Sequence, residues 1–309
     1  MNSYHRFEPE KQSVFVRAIS PETMNQDMSV PIDLIKKYKE SGQMWHFSEF
    51  MADLGCGDGH KTAKIFNELG LGGVAIDISP GMIELAQKRI LMSLCGDLMD
   101  ESFVEAVTAS GHFGEVYGSV NMQGLLVNVP GGREKILAVA DRLVTPGGHL
   151  FVTEVMRCDE YNPVLMREMG EQKYHAYISA WKHRYAVNEH IGLPYGTVVV
   201  AKPGVNKQLE WGSQNDLLSI LEGAGETTSV FERICEHQSV DALRDSLEVG
   251  SHYEIREQRY GAVASRVSSH MYPTIVIAAR KPPYFRYFPG LIGEHRSHWG
   301  KHVNVGGSV

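Results

Sequence analysis

A chain of 309 residues is long enough for one large α/β domain with insertions, or for a core domain and a smaller cap. Its hydrophobic fraction of 43% and charged fraction of 22% are ordinary globular values, and no run of about 18 apolar residues offers a membrane span. A net charge of -7 without a dense run of Lys and Arg argues against nucleic acid as the partner, and four scattered cysteines without a CxxC pair exclude a zinc ribbon or disulfide framework.

The opening MNSYHRFEPEKQSVF lacks the basic and apolar regions of a secretory signal, so a cytoplasmic location is expected. Residues 1–43 read as an N-terminal helical or lid segment. From about Phe47 short apolar runs alternate with helical patterns. EFMADL predicts a first strand, and HKTAKIFNELG a helix with Ile65, Phe66 and Leu69 on one face and Gly70 as its C-cap. GGVAID predicts a second strand ending at Asp77. SPGMIELAQKRI predicts a second helix with Ser79 as N-cap and Pro80 at its first position.

SLCGDL, SFVEAVTAS and GEVYGSVN continue as strand, helix and a fourth strand ending near Asn121. GREKILAVADRLV is a further helix, TPGG a turn, and HLFVTEV a fifth strand. This rhythm predicts an α/β fold with a doubly wound, mostly parallel sheet. After Val155 the rhythm breaks: residues 156–208, rich in Met, Tyr, His and Arg at first, read as a helical cap inserted after the fifth strand. SQNDLLSILEGAG then predicts a helix, TTSVFERI a strand and YPTIVIAARK a last strand, giving seven in all. The core thus divides into residues 44–155, which would hold the ligand, and 209–281, which end the sheet. Residues 282–309 read as an extended arm that needs other surface to lie on, so a homodimer through this arm is an expectation.

The loop DLGCGDG lies between the first strand and its helix, where glycines let backbone N–H groups and a helix N-terminus approach a ligand. The dinucleotide fingerprint GxGxxG is not met, because counting from Gly55 gives Gly57 and then His60 in the third glycine's place. DLGCGDG instead resembles the first motif of the class I S-adenosylmethionine-dependent methyltransferases, and three more pieces follow in order. VAIDISPGMIELAQKR is similar to the family's second motif, CGDL to the next, and LVTPGGHLFVTEV to its turn and fifth strand. The resemblance covers roughly residues 47–155.

The resemblance implies a Rossmann-like seven-stranded fold with S-adenosylmethionine as cofactor. It implies contacts from Asp53, Gly55, Cys56, Gly57 and Gly59 in the first loop, and from Asp77 to the ribose hydroxyls, with Ile78 and Met82 beside it. Asp97 would accept from the adenine amino group and Leu98 would pack on the ring. Asn121 and Gln123, at the crevice end of the fourth strand, would reach the methionine part, or serve as capping or turn residues. Chemically, one ionised carboxylate can accept both ribose hydroxyls, and a cationic sulfonium suits the nearby Asp53.

Methyl transfer chiefly requires alignment of a nucleophile, so catalytic candidates fall beyond the fourth strand and in the insertion. There Tyr174, Tyr177, Trp181 and Tyr185 recur at helical spacing, either as the core of a cap or as an aromatic wall for the sulfonium. Tyr174, Tyr177 and His175 are the candidates for that wall and for a base. His295, His298 and His302 in the tail are interrupted by glycine, so no metal site is expected. The expected function is methylation of a small metabolite or biosynthetic intermediate, with no nucleic-acid or membrane partner. One alternative consumes the methionine moiety instead, as an aminocarboxypropyl transferase or a cyclase that releases azetidine-2-carboxylate and methylthioadenosine. Another is a cofactor-binding scaffold without chemistry.

Overall fold

Strands buried on both faces need helices on both sides, and the chain supplies them in alternation. The structure is a computed structural model that describes residues 21–41, 50–90, 92–109, 117–129, 131–190, 192–201, 231–264 and 271–283. Helix α1 (Pro21–Glu40) precedes β1 (Phe50–Leu54), α2 (His60–Leu69), β2 (Gly72–Asp77), α3 (Pro80–Ala86) and β3 (Ser93–Cys95). Then come α4 (Glu101–Ala109), β4 (Tyr117–Gln123), a 3-10 turn at Leu126–Asn128, α5 (Arg133–Leu143) and β5 (Val144–Val155). The chain continues with α6 (Pro163–Met169), α7 (Glu171–His190), β6 (Thr197–Ala201), β7 (Phe231–Glu236), α8 (Val240–Asp245), β8 (Glu254–Ala264) and β9 (Met271–Arg280).

Seven strands form one sheet in the order β3-β2-β1-β4-β5-β9-β8. The first five are parallel, while β9 runs antiparallel to β5 and β8 antiparallel to β9. Because side chains alternate along a strand, each face has its own core. On one face Met51, Ala75, Phe151 and Val276 pack with Leu34 and Ile35 of α1 and with Ile65 and Phe66 of α2. On the other, Leu54, Ile76, Met122 and Val152 pack with Val104 of α4, Ile136 and Ala140 of α5, and Leu243 of α8.

The local signals act as expected in the first half. Ser79 caps α3 by accepting from the Met82 amide, with Pro80 in the first turn, and Gly70 ends α2 at φ 58°. After Ala86, α3 tightens into i−3 bonds at Lys88 and Arg89, so it stops short of the predicted Ile90. Strand β4 runs on to Gln123, and TPGG lies within β5, where the pairing with β4 shifts between Tyr117 and Ser119.

Two corrections concern the second half. The end of TTSVFERI falls in the strand Phe231–Glu236, but this strand pairs with β6 in a separate two-stranded antiparallel sheet. The remaining strand of the main sheet is β8, EIREQRYGAVA, whose charged side chains hide it from a hydrophobic pattern. As an edge strand paired with β9 alone, β8 can carry charge, and Glu257 pairs there with Lys37 of α1 and with Arg259. The predicted helix SQNDLLSILEGAG and the C-terminal arm with its histidines lie outside the described residues.

Candidate active site

Strand β1 ends at the glycine loop, and parallel pairing sets Asp53 beside Asn121 of β4. Asp53 is buried; one carboxylate oxygen accepts from Asn121 Nδ2 at 2.6 Å and the other from the Thr62 hydroxyl. Burial pushes the Asp53 carboxyl up to about 6, against the two hydrogen bonds that favour its ionised form. The amides of Gly55 and Cys56 donate to Ile76 O at 2.8 and 3.0 Å, which staples the loop to β2.

Gly57 then turns back at φ 57°, and a Cβ there would meet nothing within 4 Å, so the loop leaves open space above its backbone. Its N–H donates to Asp77 Oδ2 at 2.8 Å, and Ser79 N–H donates to Oδ1 at 2.9 Å. Burial raises the Asp77 carboxyl above its ordinary value, opposed by the Ser79 and Gly57 amides. Each oxygen retains lone-pair capacity for a ligand hydroxyl. Ile78 is partly buried beside it, its carbonyl 3.7 Å from Cys95 Sγ, and Met82 is fixed by the Ser79 cap. Asp97 starts the next loop, accepting from the Met99 amide at 2.8 Å.

Asp53, Gly55, Cys56, Gly57, Asp77, Ile78 and Asn121 thus gather at the carboxyl ends of β1, β2 and β4. Three neighbours in the motifs serve the fold. Cys56 is buried in the core with Ile65 and Ala86, leaving only its backbone for the loop. Gly59 is needed for packing, since a Cβ on it would stand 2.9 Å from Ala86 Cβ of α3. Leu98 is buried with Ile76, Val104 and Val139.

The catalytic candidates need a firmer correction. The Tyr174 hydroxyl accepts from Asn162 N–H at 2.5 Å and lies 3.2 Å from Glu160 O, and the Tyr177 hydroxyl donates to Met271 O at 2.9 Å. Both tie α7 to neighbouring backbone. His175 is exposed, 3.8 Å from Glu171. Trp181 and Tyr185 enclose His237, with ring centroids 5.5 and 6.0 Å from its imidazole. His237 Nδ1 stands 2.7 Å from the Tyr185 hydroxyl and 3.5 Å from Cys158 Sγ, and burial pushes its pKa down to about 3. The aromatic face of the insertion is therefore a packed core.

Sequence reasoning missed Glu154, although an acid ending an apolar strand is a visible signal. It is buried and accepts from the Leu126 and Val127 amides at 2.8 and 3.2 Å, holding the 3-10 turn after β4. Burial pushes its carboxyl up to about 7 against those amides. Among the described residues no cluster of three or more His, Cys, Asp or Glu could hold a metal ion, and no helix is long and apolar enough to cross a membrane.

Residues 52–152 match the family model of a methyltransferase domain. The seven-stranded sheet around this match is the Rossmann-like fold of the class I methyltransferases. An S-adenosylmethionine-dependent methyltransferase from Methanosarcina mazei superposes with a TM-score of 0.54 at 18% identity, over 80% of this chain and 98% of that one. One from Anabaena variabilis gives 0.47 at 14%, over 83% and 86%. The magnesium protoporphyrin IX methyltransferase from Synechocystis gives 0.41 at 13%, over 82% and 83%. No curated protein matches the sequence.

The methyltransferase-domain match implies S-adenosylmethionine as the ligand of this loop. The residues fit it: Gly57 leaves open space, Asp77 has acceptor capacity to spare, and the buried Asn121 Oδ1 has no hydrogen-bond partner.

Proposed function

We propose that this protein transfers a methyl group from S-adenosylmethionine to a small metabolite or biosynthetic intermediate. The observation that carries the reading is the joint geometry of the loop: an open turn at Gly57 whose amide is held by Asp77, beside the buried Asp53 and Asn121 pair. Asp77 would take the ribose hydroxyls, while Asp53 and Asn121 Oδ1 offer negative or acceptor character toward the cationic half of the cofactor. When bound, the cofactor supplies a sulfonium methyl that an acceptor lone pair can take, with the S–C electron pair left on sulfur. Glu154 holds the turn after β4 in place, so one wall of the site is fixed before the acceptor arrives.

With Tyr174 and Tyr177 bonded to backbone and His175 exposed, these candidates do not supply a base beside the loop. This favours an acceptor whose nucleophilic atom already has a free lone pair or loses its proton readily to water. The deciding experiment is incubation of the protein with S-adenosylmethionine, with and without small acceptors, followed by chromatography and mass spectrometry. Formation of S-adenosylhomocysteine that depends on an added acceptor is expected. Methylthioadenosine formed without any acceptor would replace the reading with consumption of the methionine moiety.

A further inference from the structure

Strands β4 and β5 end side by side, and the Gly124 amide still donates to Thr153 O at 2.8 Å, so Gln123 and Thr153 are cross-strand partners at the carboxyl edge. Alternation puts Gln123 on the same face as Asn121, and Asn121 is level with Asp53. The row Asp53, Asn121, Gln123, Thr153 therefore leads from the glycine loop across β4 to β5. Its far end is unusual. Both amide atoms of Gln123 and the hydroxyl of Thr153 are buried without a hydrogen-bond partner, and so is Asn121 Oδ1.

Each such atom carries an uncompensated desolvation cost, which a Met or Val of similar shape would avoid. Several together at one strand edge call for an outside partner. The ribose acceptor Asp77 is on β2, and β5 lies three strand positions away, roughly 14 Å at about 4.8 Å per strand. The orphaned pair thus stands on the side of the crevice away from the nucleoside.

We propose that Gln123 and Thr153 hold the acceptor of the transfer, and that they select an uncharged group presenting a donor next to an acceptor, such as a carboxamide or a hydroxyl beside a carbonyl. The inference rests on the methyl-transfer reading and names its substrate class. A carboxamide side chain offers one donor and one acceptor set, and a hydroxyl offers either. A charged acceptor group would find no counter-charge in this pair and would carry its desolvation cost uncompensated.

The test compares wild type with Gln123→Met, Thr153→Val and Thr153→Ser. Three quantities are read: melting temperature without ligand, affinity for S-adenosylmethionine by calorimetry, and the thermal shift given by benzamide or benzoate in the presence of S-adenosylhomocysteine. Gln123→Met and Thr153→Val should melt higher than wild type, because they remove unpaired buried polar atoms, and should bind S-adenosylmethionine within threefold of wild type. Benzamide but not benzoate should stabilise wild type and Thr153→Ser, and that shift should vanish in the two apolar variants.

Lower melting temperatures in both apolar variants would show that the groups are bonded internally and overturn the proposal. A tenfold loss of S-adenosylmethionine affinity would assign them to the cofactor and overturn it too. Equal shifts with benzamide and benzoate would overturn the selection of an uncharged group while leaving methyl transfer intact. Wild type that fails to bind S-adenosylmethionine would overturn both readings together.

Discussion

Asp53 sits where a carboxylate is costly to ionise and where a cation would relieve the cost. Raised to about 6, it is largely protonated at pH 5 in the free protein, and a sulfonium or ammonium group nearby must release that proton to gain the full attraction. Affinity for S-adenosylmethionine should therefore weaken by about tenfold between pH 8 and pH 5, since pH 5 lies about one unit below this pKa. Calorimetry across that range checks it, and Asp53→Asn should flatten the profile. At Asp77 the effect is direct. Asp77→Ala removes charge-assisted bonds worth on the order of 1.5 to 3 kcal/mol, so cofactor binding should fall about 10- to 150-fold in the same measurement.

At the scale of elements, α7 is fixed by side chains whose sequence spacing suggested a catalytic wall. Tyr174→Phe leaves the buried Asn162 N–H without its acceptor, and urea unfolding should report a loss on the order of 1 to 3 kcal/mol with cofactor affinity unchanged. Unchanged stability would return Tyr174 to the list of functional residues. The contrast shows what the sequence could carry. Caps such as Ser79 and Gly70 and the loop through Gly57 are local, so their residues reveal them. The aromatic stripe of α7 is equally visible, but whether it faces a ligand or His237 depends on strands more than 40 residues later. Strand β8 was hidden for a related reason: its charges are tolerated only because it is the sheet edge, a tertiary fact. Gln123 is visible in the sequence as a residue at the crevice end of its strand, but Thr153 looks like an ordinary polar residue until the register shows the two together and unpaired.

Across the whole molecule, four buried titratable groups act on stability with opposite signs. Asp53 and Glu154, raised to about 6 and about 7, keep protons in the folded state that the unfolded chain has released, so each loses stability as pH rises through its window. His149 and His237, lowered to about 4 and about 3, stay neutral when the unfolded chain has taken protons, so each loses stability as pH falls below about 6.5. Between about pH 4.5 and 6 the folded state holds two extra protons and the unfolded state two others, so the four contributions cancel. Urea titrations should find a weak pH dependence over that window, the residual fall with rising pH coming from Asp77, whose buried carboxyl is also raised. Asp53→Asn with Glu154→Gln should expose the histidines, with stability dropping by roughly 2.7 kcal/mol per pH unit on acidification.

The insertion of β9 between β5 and β8 also sets an order in time. During synthesis β5 is complete at Val155, yet its antiparallel neighbour begins only at Met271, more than a hundred residues later. At about 5 to 20 residues per second, the ribosome leaves the nascent β5 with an open, strongly apolar edge for roughly 6 to 23 s. The β8–β9 hairpin, contiguous in the chain, can then pair within itself and close that edge in one docking event. Premature termination anywhere in that interval would yield a chain that already owns its glycine loop but presents a naked strand to its neighbours, a product destined for aggregation or proteolysis.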